Sequence, residues 1–324
     1  MVTQYKKICS DLLRTLPEKQ REVISRRFGL TGGEGETLES IGQSFNITRE
    51  RVRQIERDAS LRIKPEAEKY SKIFQNFSQY FKKSGGLKKE DILLQDLGGK
   101  KYQAEVYFLL TLSGKFERIG ETENFHSLWL TDKNILNPVS KTIDGLFNKL
   151  KEVGKPVSFK ELSALSSSGK GFLLSYLEIS KKIQKNEAGL YGLKDWPEIN
   201  PRGVKDKAYL AFKKANKPLH FVEVAKLIGG ALTQTVHNEL IRDPRFILVG
   251  RGTYALADWG YYPGQVKDVI QKVLVSEQKP LTKKEILEKV LSQRLVKENT
   301  ILLNLSNRKY FLRDPQGKYT VKES

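Results

Sequence analysis

Cysteine is almost absent from this sequence, with Cys9 the single one among 324 residues. That excludes a disulfide framework and a cysteine-built metal site within one chain. Cys9 falls on the apolar side of a helix-like stretch, where a small buried hydrophobe is expected rather than a nucleophile. Histidine is scarce too: His126, His220 and His237 lie in separate segments, none at the spacing of a zinc-binding helix pair. No run approaches the ~20 apolar residues that cross a bilayer, and the start, MVTQYKKICSDLL, has no apolar signal-peptide core. A reducing cytoplasm is the expected location. Ala164 to Gly171, ALSSSGKG, falls short of a phosphate-binding loop, because the opening glycine is missing and Gly171 stands where Ser or Thr would hold magnesium. No G-x-S-x-G elbow and no isolated inward pair of carboxylates occurs. No catalytic residue, metal or other cofactor is expected, and the chain reads as a non-enzyme.

What is present in excess is positive charge. Lys and Arg number 57 against 38 Asp and Glu, a net charge of +19, and hydrophobic residues at 39% suffice for several modest cores. The balance favours a polyanionic partner, although excess lysine also serves solubility. Residues 1–70 hold 14 basic against 11 acidic side chains, so +16 of the +19 lies beyond them. At roughly 100–150 residues per domain the length predicts at least two or three units, and more if the modules are small.

The most specific stretch is Thr37 to Lys64, TLESIGQSFNITRERVRQIERDASLRIK, which reads as a helix-turn-helix. Thr37 suits the N-cap of a first helix over Leu38 to Phe45, Asn46 suits a left-handed turn, and Thr48 caps a second helix. On that helix Val52, Ile55, Ala59 and Ile63 form one apolar stripe at steps of three and four. Glu50, Arg53, Gln54 and Arg57 fall opposite, with Arg49 and Arg51 on the flanks. Such side chains can read base edges, Glu from a cytosine amine, Gln from adenine, Arg from guanine, or grip phosphates. The same spacing also fits a solvated helix face laced with ion pairs. Before it, helices are predicted at about Gln4 to Thr15 and Pro17 to Phe28. After it, Lys64-Pro65 predicts a helix boundary and Glu66 to Lys83 another helix, with Tyr70, Phe74, Phe77 and Phe81 on one packing face.

The run TLESIGQSFNITRERVRQIE resembles region 4.2 of the sigma-70 family of bacterial transcription initiation factors, and LLRTLPEKQREVISRRFGL, Leu12 to Leu30, resembles region 4.1. The resemblance covers about the first fifth of the chain. It implies that Arg49, Glu50 and Gln54 read a minus-35 promoter element, that Arg27, Arg51, Arg53 and Arg57 with Thr48 hold its backbone, and that the β flap of RNA polymerase core is a partner. No segment resembles region 2, which melts promoters in that family.

The remainder repeats. Lys155-Pro156, Lys217-Pro218 and Lys279-Pro280 recur at intervals of 62 residues, followed by VSFKEL, LHFVEV and LTKKEI. The units close on GLYGLKDW, GTYALADW and GKYTVKE, and a divergent copy opens at LKKEDI and closes at SLWL. In the third copy, with the divergent one counted as the first, helix, helix, strand, turn, strand is winged-helix order, with Thr233 to Arg242 the recognition-like helix and Arg251-Gly252 the wing turn. KPLHFVEVAKLI with LIRDPRFILVGRGTYAL resembles the HARE-HTH family, found in the RNA polymerase delta subunit and in DNA-modifying and chromatin proteins. Arg242, Arg245 and Arg251 are candidates for a second DNA contact, as are Lys181, Lys182 and Lys185 in the copy before and Arg308 and Lys309 in the copy after. Winged helices also dock proteins, and that alternative stays open.

The expected fold is therefore mainly α: a helix-turn-helix head at 1–70, a helical linker at 71–84, a divergent winged-helix module at 85–135, and winged-helix modules at 136–198, 199–260 and 261–324. The expected function is sequence-specific binding of double-stranded promoter DNA in transcription initiation or regulation, with no membrane or small-molecule substrate. The alternative is a DNA-bound interaction scaffold, or a targeting subunit for another enzyme.

Overall fold

The structure, a computed structural model, describes residues 4–166 and 172–322. Most of Ala164 to Gly171 and the last residue of GKYTVKE, Glu323, lie outside them. The protein is mainly α with small antiparallel hairpins. It divides into two compact units, 1–194 and 195–324.

The N-terminal unit opens with α1 (Gln4–Arg14), α2 (Glu18–Phe28), α3 (Leu38–Phe45) and α4 (Arg49–Ala67). Pro17 precedes the first residue of α2, and Gly29, in the left-handed conformation at φ 67°, ends it. The boundary expected at Pro65 does not occur: α4 runs through it to Ala67. Proline removes one backbone donor, which orphans the carbonyl of Leu61, and Leu61 is exposed, so water can satisfy it. A 3-10 turn, Glu68–Tyr70, then separates α4 from α5 (Ser71–Lys83). Phe74, Phe77 and Phe81 of α5 are buried as their spacing predicts.

From α5 onward one order recurs four times among the described residues: helix, short strand or bridge, helix, helix, hairpin. In the first instance α5 is followed by β1 (Leu87–Lys89), α6 (Glu90–Gly98), α7 (Gln103–Ser113), β2 (Glu117–Ile119) and β3 (Leu128–Leu130). The second comprises α8 (Leu136–Val153), α9 (Phe159–Leu165), α10 (Leu173–Ile179), β4 (Ile183–Lys185) and β5 (Tyr191–Leu193). In the C-terminal unit the third comprises α11 (Gly203–Ala215), β6 (Leu219–His220), α12 (Phe221–Ile228), α13 (Thr233–Arg242), β7 (Phe246–Gly250) and β8 (Thr253–Leu256). The fourth comprises α14 (Val266–Glu277), α15 (Lys283–Gln293), α16 (Glu298–Leu305), β9 (Phe311–Arg313) and β10 (Tyr319–Val321).

The Lys-Pro dipeptides explain the repeat. The residue after each, Val157, Leu219 or Leu281, is buried and pairs antiparallel with the second hairpin strand, at Tyr191, Tyr254 and Tyr319 respectively. Leu87 pairs in the same way with Leu130. The next helix starts at once, capped by Ser158 or Thr282 in a reciprocal box with Glu161 or Glu285, and by the His220 ring in the third instance. Five residues beyond the paired position Leu162, Val224 and Ile286 are fully buried. One short motif thus sets strand, cap and first core residue together.

The head and the first instance share a core. Tyr5, Phe28, Ala59 and Ile63 lie in one apolar cluster with Phe77, Phe81, Val106, Phe108 and Leu109. Phe28 meets Phe108 edge-on at 5.1 Å, and Phe81 stacks on Phe116 at 4.7 Å. Such aromatic pairs contribute about 0.5–1.5 kcal/mol each beyond their area burial. Cys9 is buried here, and burial pushes its thiol up from its ordinary value.

Candidate nucleic-acid interface

The helix-turn-helix is built around a separate small core of Val23, Ile41, Val52 and Ile55, with Leu38, Phe45 and Ile47 at its rim. Thr37 Oγ1 accepts from the Ser40 amide at 3.1 Å, and Thr48 Oγ1 from the Arg51 amide at 3.2 Å. Asn46 takes the left-handed conformation at φ 53° between the two helices. Gly42 is needed for closeness: a Cβ there would stand 2.7 Å from the Ile47 carbonyl oxygen. With Val52, Ile55, Ala59 and Ile63 buried, Arg49, Glu50, Arg51, Arg53, Gln54 and Arg57 are all exposed along the outward side of α4.

Within that row the side chains are already paired. Arg53 donates to Glu50 through Nε at 2.8 Å and Nη2 at 2.6 Å, and Arg51 Nη1 donates to Gln54 Oε1 at 3.0 Å. The bidentate Arg53 bond, aided by the charges of Arg53 and Arg49, holds the Glu50 carboxyl below its ordinary value. Arg49 and Arg57 make no side-chain hydrogen bond or ion pair among the described residues. All these groups are open to water, so the pairs are weak and exchangeable. The face therefore offers two free guanidinium groups, two more that a phosphate could recruit, and an acceptor and an amide that such recruitment would release.

Arg27 sits differently from the other candidate backbone ligands. It is half-buried, Nη1 donates to the Glu36 carbonyl at 2.8 Å, Nε lies 3.8 Å from the Glu56 carboxylate, and it thereby ties α2 to the loop before α3. Burial pushes the Glu56 carboxyl up while Arg27 and Arg53 draw it down. The neighbouring Arg26 escaped sequence reasoning altogether. It grips Glu36 through Nε at 2.8 Å and Nη2 at 2.7 Å, and donates to Ser44 Oγ at 2.7 Å. With Ser40 also donating, the Glu36 carboxyl is lowered to about 2, chiefly by the Arg26 bond. This clasp fixes α3 on α2. The signal for it in sequence was only a carboxylate ten residues beyond an arginine, which no periodicity marks.

Residues 12–64 match the model of sigma-70, region 4. The match spans both stretches on which the resemblance rested. Over 53 residues the chain is 49% identical to RNA polymerase sigma factor SigA1 of Synechococcus elongatus. Over 54 residues it is 48% identical to SigA of Microcystis aeruginosa, and over 53 residues 45% identical to SigA of Clostridium acetobutylicum. These alignments take in 16–17% of this chain and 13–14% of the relatives, so the likeness is to one region of them.

In the C-terminal unit Arg242, Arg245 and Arg251 differ in what they are free to bind. Arg245 is held inside the fold: it donates to both Asp243 carboxylate oxygens at 2.6–3.1 Å and to Asp206 Oδ1 at 2.8 Å, and lies over the Tyr209 ring. These bonds raise its pKa further, and it is a tie between α11 and β7 rather than an available cation. Arg242, at the end of α13, and Arg251, at the hairpin tip, are exposed. In the second instance Lys181 and Lys182 are also paired, with Glu121 and Asp144. Among the described residues no group of three or more His, Cys, Asp or Glu could hold a metal ion, and no helix is long and apolar enough to cross a membrane.

Proposed function

We propose that the chain is a sequence-specific DNA-binding transcription factor of the bacterial initiation apparatus, whose head, residues 1–70, reads a minus-35-like element and contacts RNA polymerase core. The observation that supports it most is the outward row of α4, lying wholly inside the stretch that matches sigma-70, region 4. Arg49, Glu50 and Gln54 meet base edges, each good bidentate pair contributing about 1–3 kcal/mol of discrimination. Arg51, Arg53 and Arg57 take phosphates, and the start of α4 capped by Thr48 presents its amides to another. Entry into the groove exchanges partners: Arg53 leaves Glu50 for a phosphate, which frees Glu50 to accept from a cytosine amine. Arg51 likewise releases Gln54. Arg27 acts through the Glu36 loop and Glu56, setting the angle of α3 and α4.

The β flap of polymerase engages the outer side of α2, where Glu18, Lys19 and Glu22 are exposed, since the opposite side is covered by the chain's own α7. Four winged-helix modules of the HARE-HTH kind, at 85–135 with α5 as its opening helix, 136–198, 199–260 and 261–324, contact flanking DNA or another protein. The factor works in the cytoplasm, on the nucleoid. A second reading, a DNA-bound scaffold with protein-docking modules, is favoured by Leu303 on α16 and Leu312 on β9, which stay 75% and 48% exposed. Genome-wide occupancy of the full chain, compared with that of core polymerase, tests the first reading. Coincidence at promoters upstream of the melted region is expected. Occupancy that never coincides with polymerase would favour the scaffold.

A further inference from the structure

Four helices hold the same place in the four instances, α7, α10, α13 and α16, and they differ sharply in what they expose. Along α7, Thr111 is the one exposed residue among the described residues, because the helix is packed into the head. The short α10 exposes Leu174, and α16 exposes Leu303 amid Glu298, Asn299 and Thr300. On α13, Gln234, Asn238 and Arg242 recur at steps of four, all exposed, with Ile241 beside them at 62% exposure. At 100° per residue these four share one outward arc.

We infer that α13 is a second surface that reads double-stranded DNA, with Gln234 and Asn238 facing base edges and Arg242 and Arg251 holding the backbone. The inference deepens the transcription reading above and rests on it for the class of ligand. Both amides have the donor and acceptor pair that matches adenine in the major groove, and Ile241 offers an apolar contact to a thymine methyl. They hydrogen-bond each other at 3.1 Å, a solvent-exposed bond that a base can replace. Residues 199–260 carry ten Lys and Arg against five Asp and Glu, and two of those acids, Asp206 and Asp243, are engaged by Arg245. An open cleft of about 640 Å³ at the end of α13 is lined by four basic and four acidic side chains, of which Arg202 holds Asp195 at 2.6 Å and Arg245 holds Asp206 and Asp243, leaving Lys205 and Arg242 without an ion pair among the described residues. Lys205 and Arg242 there can take a phosphate.

The scaffold beneath is closely packed. Phe221 stacks on His237 at 4.3 Å and fixes α13 on α12. The hairpin turn Arg251-Gly252 lies close over His220: Gly252 adopts φ 69°, and a Cβ there would stand 2.6 Å from His220 Nε2. The wing tip that carries Arg251 is thus anchored to the same helix pair that presents the amides.

The test is selection from a random duplex pool, followed by binding titrations at several salt concentrations, with the full chain and three variants. These are Gln234→Ala/Asn238→Ala, Arg242→Ala/Arg251→Ala, and Glu50→Ala/Gln54→Ala in the head. Wild-type protein should select two separable preferences. The Gln234→Ala/Asn238→Ala chain should lose the one that the head variant keeps. Arg242→Ala/Arg251→Ala should weaken every duplex by about tenfold and lower the salt slope by about two charges. Thermal melting should not move, since all four side chains are exposed. Both C-terminal variants selecting and binding as wild type does would overturn the inference. If instead the head variant alone behaved as wild type, the reading of α4 would fail while that of α13 stood.

Discussion

Helices α4 and α7 pack against each other in the N-terminal unit and keep opposite things outside. Each follows another helix across a short connection, so backbone order alone would offer both as recognition helices. On α4 six polar side chains in the first nine residues face water, and the apolar stripe beneath them is one residue wide at each turn. On α7, QAEVYFLLTLS, apolar residues occupy every side, and burial takes even Glu105. A helix that is apolar all round is consumed by packing. The contrast separates the helix proposed as a reader from a strut: what distinguishes α4 is not its helix-turn-helix place but a polar row that the fold leaves exposed.

The largest effect that could break this contrast is on the strut. Phe108→Ala in α7 should cost about 3–5 kcal/mol of unfolding free energy, because the ring is fully buried against Phe28. Urea unfolding of the full chain measures it, and a loss under about 1 kcal/mol would mean that α7 is not part of the head's core. Next comes the turn that aims α4. Gly42→Ala places a methyl 2.7 Å from the Ile47 carbonyl, so a destabilisation of about 1–3 kcal/mol is expected, with loss of DNA affinity at temperatures where the head loosens. Unchanged melting and binding would show that the two helices can separate without consequence.

On the reader, substitutions should leave stability within about 0.5 kcal/mol while changing binding. Arg51→Ala should weaken all duplexes alike and flatten the salt dependence by about one charge. Glu50→Ala should relax preference at one or two base pairs, and if it lowered affinity uniformly, base reading by that carboxylate would be wrong.

The smallest effect is electrostatic. Glu36 has its carboxyl lowered from an ordinary 4.5 to about 2 in the folded head. The stabilisation from its pairing with Arg26 is therefore complete above pH 4.5 and is lost as pH falls through 2. Melting of wild type against Glu36→Gln should converge at the acid end of that window, and high salt should shrink the difference in part, because the pair is only half-buried. Parallel acid profiles would remove Glu36 from the account.

Much of this was legible in the residues. Thr37, Asn46 and Thr48 specify caps and turn through their own side-chain chemistry, and both predicted helices of the motif appear with the expected starts. The Lys-Pro repeat marked where a helix of each of the last three instances begins, but not the strand pairing or the caps beside it. The wing of the third instance and the span of α13 also match their sequence signals. Other features were hidden because they depend on partners distant in sequence. Pro65 reads as a stop locally, yet packing of Ile63 and Ala67 carries the helix past it. Arg245 reads as a surface cation until Asp206, 39 positions earlier, is brought beside it. The shared core of head and first module had no local mark either, since Phe28 and Phe108 belong to separate motifs in the chain.

The central claim is that the outward row of α4 reads bases. It is tested most directly by measuring affinity for every single-base substitution of the selected head site, with wild type and Gln54→Ala side by side. The account predicts that Gln54→Ala flattens the profile at one or two adjacent positions, by about 1–3 kcal/mol, and leaves the rest unchanged. A profile lowered equally at all positions, or one identical to wild type, would contradict it.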